Sequence, residues 1–89
     1  MPTIHLLIIG KVQGVFYRAT AKKIANKLKL TGCIKNIKDG NVEAIATGNE
    51  EQLQEFINWC KQGPENAKVE DVIVEQKQIM SFHTFEITR

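Results

Sequence analysis

Apolar and polar positions along the 89-residue chain follow two periods, and the switch between them marks out its elements. Ile4-His5-Leu6-Leu7-Ile8-Ile9 is apolar at nearly every position, the pattern of a strand central in a sheet. Gly10 to Arg18 follows as a loop with two glycines, Gly10 and Gly14. From about Arg18 to Leu28 the period becomes helical. Ala21, Ile24, Ala25 and Leu28 share one face, and Lys22, Lys23 and Lys27 face outward. Gly32 precedes a second strand, Cys33–Ile37. Lys38-Asp39-Gly40-Asn41 reads as a hairpin turn with Asp39-Gly40 as its signal, and Val42–Thr47 is the third strand, ended by Gly48. Asn49 is an N-cap, and Gln52 stands where a capping box needs it. The helix it opens buries Leu53, Phe56, Ile57 and Cys60 and stops at Gly63-Pro64. Val69–Gln76 alternates around Val72 and Val74, and Phe82–Thr88 alternates with Phe85 and Ile87 on one face.

The order is therefore β-α-β-β-α-β plus a short C-terminal strand. It predicts an α+β, split β-α-β (ferredoxin-like) fold over residues 1–89 as one domain, with two helices on one face of an antiparallel sheet. Right-handed crossovers place the first and third strands side by side in its middle. The loop after strand one and the end of strand two then lie near each other. This fold hosts enzymes, RNA-binding modules and ligand sensors, so it selects no function.

Composition narrows the field. The chain is 43% hydrophobic and 25% charged, which excludes low-complexity and disordered classes. Two cysteines, Cys33 and Cys60, are too few for a disulfide scaffold and read as thiols in a reducing compartment. The apolar start has no basic leader or small-residue cleavage site, and no apolar run approaches the roughly 20 residues of a membrane span. The expectation is a cytoplasmic protein without a membrane association. The net charge of +2 hides a split. Residues 1–38 carry eight basic side chains and no acid, and residues 39–89 carry four basic and ten acidic ones. The first half can attract an anion but cannot supply a carboxylate base or metal ligand.

Arg18 is the only arginine besides the terminal Arg89, and it stands where a glycine-containing loop enters a helix. Helix N-termini present unpaired N–H groups and partial positive charge, hence an anion site. A cation there disfavours the helix by ~0.3–1 kcal/mol unless an anion offsets it. A guanidinium can grip two phosphate oxygens at once. The plainer alternative is a solvated surface arginine beside an ordinary turn, and spacing alone does not choose. Thr20, Ser81, His5 and His83 form no nucleophilic triad, and no spacing suggests a metal site. Trp59 reads as packing. Asn36, near the end of strand two, either bonds its own turn or turns its amide to the anion site.

Gly10-Lys11-Val12-Gln13-Gly14-Val15-Phe16-Tyr17-Arg18 closely resembles the first signature of the acylphosphatase family. Gly32-Cys33-Ile34-Lys35-Asn36, with Asp39-Gly40-Asn41-Val42 and Gly48, resembles the second. The resemblance covers the whole chain in order and length. It implies hydrolysis of acyl phosphates, with inorganic phosphate as product and competitor and with no metal or cofactor. It implies a backbone N–H cradle from Gln13, Gly14, Val15, Phe16, Tyr17 and Arg18, shaped by Gly10 and Gly14. Arg18 is then the phosphate clamp, and Asn36 orients the water. A monomer suffices. Two positions depart from the family: Cys33 replaces an aromatic residue, which could leave a smaller core there unless a partner side chain refills it, and Lys29 replaces a helix-ending glycine, where a left-handed backbone would carry roughly 1–2 kcal/mol of strain. Two competing readings are an RNA-binding module, disfavoured because strands one and three lack aromatic residues for base stacking, and an anion sensor without turnover.

Overall fold

A computed structural model describes residues 1–88 of the chain. Its elements run β1 (Thr3–Lys11), α1 (Tyr17–Lys27), β2 (Thr31–Asn36), β3 (Val42–Thr47), α2 (Glu50–Gln62), β4 (Lys68–Lys77) and β5 (Phe85–Ile87). The sheet order is β4-β1-β3-β2-β5, so β1 and β3 are neighbours as the crossover rule requires. The four longer strands pair antiparallel. The sheet as a whole is mixed rather than purely antiparallel, because β5 pairs parallel to β2.

The reason lies in the path of the chain. Lys77 ends β4 opposite Thr3, at the start of β1. The connection then crosses that end of the sheet, where Met80 donates to Thr3 Oγ1 (3.0 Å) and accepts from Thr47 Oγ1 (3.1 Å). Thr31 and Thr47 pair at this same end, so a strand starting there beside β2 must run in the direction of β2. Only Phe85–Ile87 of the expected Phe82–Thr88 strand is regular, and Phe85 is fully buried.

Alternation decides which face is covered. Ile4, Leu6 and Ile8 of β1, Ile34 of β2 and Val42, Ala44 and Ala46 of β3 are buried beneath the helices. Small Ala44 and Ala46 leave room for Tyr17, Phe56 and Phe85, the largest fully buried side chains. Phe56 meets Phe85 edge-on at 5.7 Å, and Trp59 packs on Tyr17 at 5.2 Å, in line with a packing role. Cys33 falls on the opposite face, half-buried, between Ile45 and Glu86. Neither a smaller core nor a refilling side chain is therefore called for at this position: Gly32 and Ile34 are the buried, inward residues of that strand. Burial raises the Cys33 thiol above its ordinary pKa.

Both helices end as the sequence suggests. Asn49 Oδ1 accepts from Gln52 N–H (2.9 Å) at the start of α2, and Gly63, at φ 70°, closes it. After α1, Lys29 takes φ 60°, as suspected from the missing glycine.

Candidate active site

The loop between β1 and α1 is shaped by three unusual backbone positions. Gly10 lies at a bulge in the β1–β4 pairing with φ +138°, where a Cβ would overlap the Lys68 carbonyl oxygen. Gly14 has φ +74° and faces open space. Phe16 is left-handed too, at φ 63° and ψ 23°, and forms the N-cap of α1. A left-handed non-glycine residue costs about 1–3 kcal/mol, and such strain gathers at functional sites. Left-handed residues alternating with others turn successive N–H groups to one side and form an anion-binding concavity.

Those N–H groups are unclaimed. Among the described residues, none from Gln13 to Phe16 donates to a backbone carbonyl. The first-turn N–H groups of Tyr17, Arg18 and Ala19 have no intrahelical acceptor. No side chain among the described residues caps α1, and its first turn holds no acid. The contrast with α2 is direct, since that helix has both a capping Asn49 and Glu50 and Glu51 in its first turn.

Arg18 is half-buried in this first turn and makes no ion pair among the described residues. It borders a cleft of about 270 Å³ with Val12, Gly14, Phe16, Ala19 and Ile87. The size suits a small ligand. Val15 is buried under the loop, and the Phe16 ring is 79% exposed. Tyr17 also lines the cleft. Its ring is buried, and its hydroxyl donates to the Cys60 carbonyl (2.7 Å). Burial holds that phenol far above its ordinary pKa, so it stays neutral.

Asn36 ends β2 and does not itself line the cleft. Its place follows from register. Val42 pairs with Ile8 on one side and with Asn36 on the other, so the end of β1 and the end of β2 share one edge of the sheet. Two strand spacings separate them, about 10 Å. By alternation Asn36 shares the helix side with Gly32 and Ile34. Its Oδ1 is buried and has no hydrogen-bond partner among the described residues. An unpartnered buried acceptor is costly, which calls for a donor such as a water.

Sequence reasoning missed two contributors. Gln13 was expected only as a backbone donor, yet its Nε2 donates to the Ile37 and Asn41 carbonyls, both at 2.8 Å, and ties the loop to the β2–β3 hairpin. Ile87 reaches the cleft from β5. The alternation of Phe85 and Ile87 hinted at a shared face, but only strand pairing shows what that face borders.

The other candidates lie elsewhere. His5 Nε2 meets Glu43 Oε2 at 3.0 Å, on the face away from the helices, and Lys35 approaches the same carboxylate at 3.5 Å. The His5 bond, with Lys35 adding to it, holds the Glu43 carboxyl below its ordinary pKa. His83 is exposed. Among the described residues no three His, Cys, Asp or Glu side chains cluster as metal ligands would. No helix there is long and apolar enough to cross a membrane.

Among the described residues, a half-buried guanidinium without an ion pair stands beside loop N–H groups without an acceptor, a candidate anion site on a ferredoxin-like sheet. The chain belongs to the acylphosphatase family, whose model matches residues 4–87. An acylphosphatase of Acaryochloris marina is 45% identical over all of this chain and 99% of its own. The crystal structure of acylphosphatase from Bacillus subtilis superposes over the full length of both chains with TM-score 0.97 at 37% identity. That of an acylphosphatase from Coxiella burnetii gives 0.94 at 36% identity, over 98% of this chain and 92% of the other. The chain is thus an enzyme of the class that hydrolyses acyl phosphates.

Proposed function

We propose that the chain cleaves acyl phosphates to a carboxylate and inorganic phosphate without a metal, using Arg18 and Asn36 as catalytic residues. The N–H groups from Gln13 to Arg18 receive the phosphate oxygens, and the Arg18 guanidinium takes two of them in a fork. Asn36 Oδ1 accepts a hydrogen bond from a water and leaves an oxygen lone pair free to attack phosphorus in line with the acyl oxygen. The water oxygen–phosphorus bond forms as the phosphorus–acyl oxygen bond breaks. The acyl oxygen departs with the electron pair as a carboxylate. The water proton passes to a phosphate oxygen of the substrate itself. A carboxylate leaves readily, so positioning and charge stabilisation are the main demands on the protein.

The observation that carries this reading is a run of N–H groups uncapped among the described residues, beside a half-buried Arg18 that makes no ion pair among them. A nucleic-acid partner is disfavoured, since β1 and β3 contain no Phe, Tyr or Trp on which a base could stack, and the imidazole of His5 is held by Glu43. The same reading takes the enzyme as a cytoplasmic monomer, consistent with its two free cysteines.

The test is hydrolysis of benzoyl phosphate in excess chelator, with inorganic phosphate competing. Arg18→Gln and Asn36→Ala should each lose ~100–1,000-fold in rate, the effect of removing one well-placed donor in a charge-stabilising site. Circular dichroism should show both variants folded. Full activity in either folded variant removes that residue from the mechanism. Phosphate binding without turnover in the unmodified protein would instead leave an anion sensor.

A further inference from the structure

We propose that Gln13 is a positioning residue that sets Asn36 against the phosphate cradle through its side chain; this rests on the water-orienting role given to Asn36 above. The Gln13 carboxamide spans two segments far apart in sequence. Its Nε2 donates at 2.8 Å to the Ile37 carbonyl and at 2.8 Å to the Asn41 carbonyl. Those residues bracket the β2–β3 turn, which is closed by Ile37 N–H to the Asn41 carbonyl (3.0 Å) and Gly40 N–H to the Ile37 carbonyl (3.2 Å). One side chain therefore holds both sides of the hairpin mouth to the loop that contains the cradle.

Asn36 immediately precedes Ile37. The Ile37 N–H, in the peptide plane that joins Asn36 to Ile37, bonds the Asn41 carbonyl that Gln13 also holds, and the Ile37 carbonyl lies in the next plane; anchoring both carbonyls therefore fixes the direction in which the chain leaves Asn36, and with it the angle of the Asn36 amide. A tilt of the hairpin away from the loop would carry Asn36 Oδ1 off line. The α1 end of the loop, with Phe16 and Arg18, would keep its own geometry.

The same bonds exclude Gln13 as a side-chain ligand. A carboxamide nitrogen has two hydrogens, and both are committed to carbonyl oxygens. The remaining Oε1 is an acceptor and has nothing to offer a phosphate. Gln13 can give substrate its backbone N–H alone, while its side chain acts on the position of Asn36. A misplacement of ~1 Å in a catalytic geometry can cost on the order of 100-fold in rate.

The experiment combines kinetics and resonance assignment. Gln13→Met keeps the length of the side chain and removes both donors. It should lower kcat for benzoyl phosphate by about tenfold or more, with the inhibition constant of inorganic phosphate within about twofold of the unmodified enzyme. The double variant Gln13→Met/Asn36→Ala should be no slower than Asn36→Ala alone, because the two residues act as a unit. Unchanged kcat in Gln13→Met, a loss of phosphate affinity that matches the loss of kcat, or multiplicative effects in the double variant would each overturn the proposal. Full activity in Asn36→Ala alone overturns the water-orienting role instead, so the two failures are distinct. A measurement on the unmodified protein guards against a variant that does not fold. Titrating inorganic phosphate should move the backbone N–H resonances of Gly14 to Arg18 and leave the Gln13 side-chain NH₂ pair in place. Movement of that pair as large as the backbone shifts would make Gln13 a ligand and sink the proposal.

Discussion

Among the described residues, Phe16 and Lys29 are the two non-glycine positions with left-handed backbones, and they use that conformation differently. Lys29 ends α1. Its N–H reaches the Asn26 carbonyl (3.1 Å), and the N–H of buried Leu30 reaches the Ala25 carbonyl (2.9 Å), the paired bonds of a helix stop usually built on glycine. Lysine carries ~1–2 kcal/mol of strain there. Lys29→Gly relieves it while giving back part through a freer unfolded chain. A net stabilisation of about 0.5–1 kcal/mol is expected, a rise in Tm of roughly 4–8 °C per kcal/mol, read by thermal unfolding with unaltered turnover. At Phe16 the same strain sits where N–H groups must converge, and a binding requirement accounts for it better than a stop signal does.

The two helices show one physical device used in opposite ways. In α2 the first-turn N–H groups are served by Asn49 and by the acids Glu50 and Glu51. In α1 no side chain among the described residues serves them, and Arg18 adds positive charge. A capped helix is stabilised by its own side chains, whereas an uncapped one is stabilised further when an anion arrives. Asn49→Ala should cost about 1 kcal/mol in chemical denaturation. It should leave kcat for benzoyl phosphate unchanged, because α2 contributes no residue to the cleft. A drop in kcat at full occupancy of the folded state would contradict this division of labour.

Across the whole molecule, the acids concentrated after Lys38 do not border the cleft. Glu43 faces away from the helices with His5 and Lys35, and Glu86 pairs with Lys22 at 3.1 Å. The Glu43 carboxyl has a lower pKa folded than unfolded, so the unfolded chain takes up the proton first as pH falls. Its contribution is complete above the unfolded value, ~4.3, and fades as pH drops through the folded one. The pair is partly exposed, so the amount is under about 1 kcal/mol. Denaturation at pH 7 and pH 3 should show this loss, and Glu43→Gln should shrink it.

Periodicity alone determined the element order, the inward faces of both helices and the adjacency of β1 and β3, because each depends on spacing along the chain and on the handedness of crossovers. The two signatures likewise placed Arg18 and Gly14, from the loop, and Asn36, from the end of strand two, as the residues to examine. What spacing could not decide was set by pairing between distant segments. The direction of β5 follows from where the chain crosses the sheet. The outward placement of Cys33 follows from which face the helices cover. Gln13 reaching Ile37 and Asn41, and Ile87 reaching the cleft, depend on side chains meeting across 24 to 28 residues or more of sequence. A one-dimensional pattern records which residues point the same way. Only the folded sheet records what they point at.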